Sequence, residues 1–142
     1  MTITPIPAPA FEVREPCRSV WRHGLAATAA AAGATTLLAA AAQGAGVTFE
    51  DRTGGGIPLV SFAELTLVFS LLGVALAAGF ARHARAPRRT FLRTTGVLLL
   101  VSFVPDITVG LDAPSAATLI ALHAVAAAIV VPTLAGRLIS LR

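Results

Sequence analysis

Residues 58 to 80 read PLVSFAELTLVFSLLGVALAAGF, and the only ionisable side chain among them is Glu64. A helix needs about 20 predominantly apolar residues to cross the roughly 30 Å hydrocarbon core of a bilayer. Pro58 is well placed to open it, because the first turn of a helix has no use for the missing N–H. Three more runs of this kind stand along the chain, at about Gly24 to Gly46, Phe91 to Gly110 and Pro114 to Ala135. The whole chain of 142 residues is 56% hydrophobic and 13% charged, with a mean hydropathy of +0.81. Four spans leave little for loops or a further domain, so the sequence predicts an all-α integral membrane bundle of four transmembrane helices, residues 24 to 142.

Charge sets the expected orientation. All 11 basic residues are arginines, and only Arg52 falls in the segment between the first two spans, Val47 to Ile57. The others lie in the two tails, in the segment Ala81 to Thr90, or at span ends beside them. Arg82, Arg85, Arg88 and Arg89 make that middle segment the most basic, and Arg93 is close enough to its span end to snorkel to the headgroups. Because cytoplasmic loops are enriched in basic residues, both ends are expected in the cytoplasm, N-in and C-in. Residues 1 to 23 hold four prolines without a sustained apolar period and read as a disordered cytoplasmic tail. Trp21 and Arg22 suit the interface at its end. A competing reading takes the first span as a secretory signal with cleavage near Ala40 to Gly44, but the apolar run is longer than the usual signal core of about 7 to 15 residues.

Several function classes lack their residues. A net charge of +4 invites nucleic acid, yet the basic segment is short and has no interleaved aromatics, so no nucleic-acid partner is expected and anionic lipid headgroups suit it better. Cys17 is the single cysteine, which excludes an intramolecular disulfide, a CxxC pair and hence four-helix thiol oxidoreductases. Gly54-Gly55-Gly56 lacks the following Lys-Ser/Thr of a phosphate loop.

Inside the spans stand three ionisable groups, Glu64, Asp106 and His123, each costly in lipid and therefore expected to face a bundle interior or a watery cavity. Counting about 1.5 Å per residue from the outer span ends puts them at depths of roughly 9, 6 and 13 Å. They are the candidates for one proton- or ligand-binding cluster on three helices, and a Glu64–His123 pair would suit a proton relay. Pro105 sharpens the site, since its missing N–H frees the carbonyl of Val101 beside the acid. One His and two carboxylates match the composition of a metal triad, but no close spacing supports it. No metal or other cofactor is expected. The bland alternative has Asp106 capping backbone near the turn and His123 packed as a neutral ring.

Small residues mark helix seams, since association in lipid depends on close packing. Gly73 and Ala77 form one on the second span. Ala117, Ala121, Ala124 and Ala128 form another on the fourth. Both are expected to be contacts inside the bundle, with pairing of two copies as the minority reading.

The stretches IPLVSFAELTLVFSLLG (57–73), RAPRRTF (85–91), SFVPDITVG (102–110) and LHAVAAAIVVPTLAGRL (122–138) resemble an actinobacterial family of small four-helix integral membrane proteins, a domain of unknown function. The resemblance runs from Ile57 to Arg137, while the first helix fits by position and composition only. It implies a multi-pass protein of a bacterial plasma membrane and brings no activity. The function expected is that of a non-enzymatic structural or interaction subunit of the cell envelope, in contact with the lipid bilayer and either a second copy or a membrane partner protein. The alternative is a small transporter or sensor that uses Glu64, Asp106 and His123 for protons, a metal ion or a small polar ligand.

Overall fold

A computed structural model describes residues 16–50, 54–108 and 110–138. Four helices follow one another, α1 (Pro16–Gly44), α2 (Leu59–His83), α3 (Pro87–Thr108) and α4 (Ala113–Arg137), and each is long and apolar enough to cross a membrane. The outward faces explain the composition. Leu65, Val68, Phe69 and Leu72 on α2, with Val97, Leu100, Val104 and Ile107 on α3, are exposed, which lipid accommodates and water does not.

The sequence predicts a tail up to His23, whereas α1 already begins at Pro16. Proline is tolerated in a first helical turn, and Val20, fully buried, ties this turn to the bundle. Residues 1 to 15 lie outside the described residues, as does Arg52. The basic connection is also shorter than its charge suggests. Arg82 and His83 end α2, and Pro87 opens α3, leaving only residues 84–86 between helices.

α1 packs against α2 and α4, and α3 packs against α4 and α2 from the other side, while α1 and α3 do not touch among the described residues. The core divides by depth. Toward the arginine-rich end, Ala27 and Ala31 of α1 meet Val74, Ala77 and Ala78 of α2 and Val130 and Leu134 of α4. Gly24 shows how close α1 comes: a Cβ there would stand 2.6 and 2.9 Å from the two methyls of Val74. Of the predicted α2 seam, Ala77 is fully buried, but Gly73 has open space where a Cβ would stand. The close approach that seam was expected to make belongs to Gly24. A polar link joins α1 to α2, with the Thr35 and Thr66 hydroxyls 3.0 Å apart. Thr35 donates to the carbonyl of Ala31 at 2.9 Å, so Thr66 is the donor across the helices.

At the opposite end a plug closes the bundle. Phe49 is fully buried in a second cluster with Ala39, Phe62 and Leu122, its ring centroid 5.1 Å from that of Phe62. Its φ of 53° lies in the left-handed region, which costs a non-glycine residue about 1–2 kcal/mol. Burial of the ring offsets that cost, and the Phe49 N–H donates to Ser115 Oγ at 3.2 Å. Asp112 caps α4, accepting from the Ser115 N–H at 3.3 Å, and Pro114 lies in the first turn.

Candidate functional site

Asp106 and His123 meet between α3 and α4: His123 Nδ1 lies 3.0 Å from Asp106 Oδ2. Their estimated depths differ by about 7 Å, and the directions of the helices close this gap. Long side chains lean toward the N-terminus of their helix. α4 starts at the plugged end and α3 at the arginine-rich end, so His123 leans toward the plug and Asp106 leans away from it. The two groups converge from opposite directions.

The same Nδ1 is 3.0 Å from the carbonyl oxygen of Leu119, one turn earlier on α4. A carbonyl only accepts, so in that bond Nδ1 carries the hydrogen and donates it to Leu119. Asp106 Oδ2 is then a close neighbour without a hydrogen bond of its own, although it is buried. One N–H thus stands before two acceptors. The Asp106 side chain is 7% exposed and that of His123 39%, so the carboxylate is enclosed while the imidazole keeps one edge open. Phe103, three residues before Asp106, covers the ring, with centroids 6.3 Å apart and planes at 75°. Pro105 sits inside α3 directly before the acid and leaves the carbonyl of Val101 without its helical partner. Ser102 donates to Leu99 O at 2.7 Å and is spent within its own helix.

Glu64 does not join this pair. It is exposed on α2, where Phe62, Ser70, Val74 and Ala77 face inward. Two residues turn a helix by about 200°, so a glutamate at 64 faces away from the side that Phe62 buries. The three-residue cluster expected from depth is a two-residue site, because depth says nothing about rotation around the axis. Among the described residues no three His, Cys, Asp or Glu side chains are grouped to hold a metal ion.

Ala117, Ala121, Ala124 and Ala128 are exposed, which corrects the expectation that they pack inside the bundle. Ala124 and Ala128 instead border an open groove whose opposite wall includes Leu92, Gly96 and Leu99 of α3. The arginines at 82, 85, 88 and 89 are exposed. Leu119 and Phe103 were not predicted for the site. Both stand one helical turn from a predicted residue, on the same face, and that spacing was their signal.

A family model described as a family of unknown function (DUF6069) matches residues 15–140, so the likeness takes in α1 as well as the stretches that carried it in the sequence. No curated protein and no solved structure matches the chain.

Proposed function

The chain belongs to this family of unknown function, which brings no activity, and from its geometry we propose a non-enzymatic membrane subunit whose α3–α4 contact responds to protons. The observation that carries the reading is Asp106 Oδ2, buried and lacking a hydrogen bond, 3.0 Å from a histidine nitrogen. The pair has distinct ways to hold a proton. With the hydrogen on Nδ1, the ring donates to Leu119 or turns it to Asp106. With the hydrogen on Oδ2, the acid donates to Nδ1 and the ring takes the other tautomer, its proton on Nε2. With both nitrogens protonated, imidazolium and carboxylate form an ion pair. Each arrangement changes which bonds link α3 to α4, and histidine is the side chain suited to switch between them near physiological pH.

The polarity of the chain supports placing the arginine-rich end in the cytoplasm and the pair in the outer half of a bacterial plasma membrane. Thermal unfolding of the purified chain in detergent tests the proton response. Between about pH 5 and pH 8, the melting temperature of the parent is expected to change with pH, and Asp106→Asn and His123→Gln to flatten that change. His23 and His83 remain in every variant, so their contribution cancels. Parallel curves for parent and variants would remove the proton reading while leaving the four-helix bundle untouched.

A further inference from the structure

On the outward face of α2, Ala75 and Gly79 sit low between Leu72, Leu76, Phe80 and His83 and form an open apolar trough. Nothing lies within 4 Å of the position a Gly79 Cβ would take. From Leu72 to His83 the trough runs roughly 16 Å at about 1.5 Å per residue, close to the ~15 Å thickness of one hydrocarbon leaflet. It ends at His83, where polarity changes abruptly. The stretch Phe80 to Arg93 carries Arg82, His83, Arg85, Arg88, Arg89 and Arg93 and no carboxylate, and Arg85, Arg88 and Arg89, in the connection and first turn of α3 that follow His83, are exposed.

We infer that this trough and its basic mouth form a seat for one anionic glycerophospholipid from the leaflet at the arginine-rich end. An acyl chain lies along Ala75 and Gly79, and the phosphate is held by the arginines beside His83. Charge complementarity selects the occupant. A zwitterionic lipid fills the trough equally well but brings no net charge to the arginines, and an apolar helix seated on Ala75 and Gly79 would leave those charges unmatched. Guanidinium groups also match phosphate oxygens in a two-point fork. The seat is separate from Asp106, which lies at the far end of α3 from Arg88 and Arg89, and from His123 on α4.

Native mass spectrometry of the full chain in detergent, with added dioleoyl phosphatidylglycerol or dioleoyl phosphatidylcholine, tests the seat. The anionic lipid is expected to remain bound where the zwitterionic one is lost. Removing charge in the triple variant Arg85→Gln/Arg88→Gln/Arg89→Gln should weaken retention about fivefold per arginine, roughly a hundredfold together. Filling the trough in Gly79→Leu, with every charge kept, should also reduce retention by about tenfold. Dihexanoyl phosphatidylglycerol, with the same headgroup and short chains, should bind the parent weakly, an arm that needs no variant. Equal retention of the two dioleoyl lipids would overturn the proposal. So would undiminished binding to Gly79→Leu or tight binding of the short-chain lipid, either of which would reduce the basic segment to attraction at the surface.

Discussion

A single nitrogen stands in front of two oxygens between α3 and α4. His123 Nδ1 stands 3.0 Å from Leu119 O and 3.0 Å from Asp106 Oδ2, and one hydrogen does not serve both well. A buried acceptor left without a partner costs about 1–3 kcal/mol, so a hydrogen supplied to Oδ2 would tighten the hold on α3. At the same scale, Gly24 fixes the crossing of α1. Val74 is β-branched and stiff at χ1, so it does not swing away from a new Cβ placed 2.6 Å from its methyl. Gly24→Val should therefore lower stability by about 1–3 kcal/mol through overpacking, measured by unfolding in mixed micelles. Gly73→Ala, with open space around it, should be close to neutral. Loss at 73 and none at 24 would put the close approach on the wrong helix.

Among the elements, α1 and α2 join through small side chains and the Thr35–Thr66 hydroxyl pair, and α3 packs mainly against α4. Thr35→Val removes the Thr35–Thr66 link at near-constant shape. Hydrogen bonds between membrane helices average about 0.6 kcal/mol in double-mutant cycles, so the expected loss is small, and a cycle with Thr66→Val should show coupling of that order. A coupling of zero would mean that packing alone joins the pair. The helices themselves were legible in the sequence because length and apolar composition suffice to define a span, and Pro58 and Pro114 marked two starts well. What stayed hidden was rotation. Glu64 and His123 are each the single ionisable residue of an apolar run, and nothing in these runs says that one faces outward and the other faces Asp106. The Ala117–Ala128 seam was misjudged for the same reason, since small residues permit a contact without specifying one. Phe49 was hidden by its neighbours, a glycine-rich and charged segment that reads as an open loop, whereas its ring is the plug of the bundle.

For the molecule as a whole, the chain is a four-helix membrane bundle whose third helix is the least buried and meets the fourth at the Asp106–His123 pair. The arginine distribution predicts its orientation. Reporter fusions after Gly55 and Arg85 should report the outer and the cytoplasmic side respectively, and a cytoplasmic signal at Gly55 would invert the arrangement. The most direct test of the pair is the ¹⁵N spectrum of histidine-labelled protein in lipid bilayers, with His23 and His83 replaced by Gln so that His123 alone is seen. The His123 Nδ1 signal should move in Asp106→Asn, which changes the group 3.0 Å away, and stay in place in Glu64→Gln. A His123 signal that responds to Glu64→Gln and ignores Asp106→Asn would contradict it.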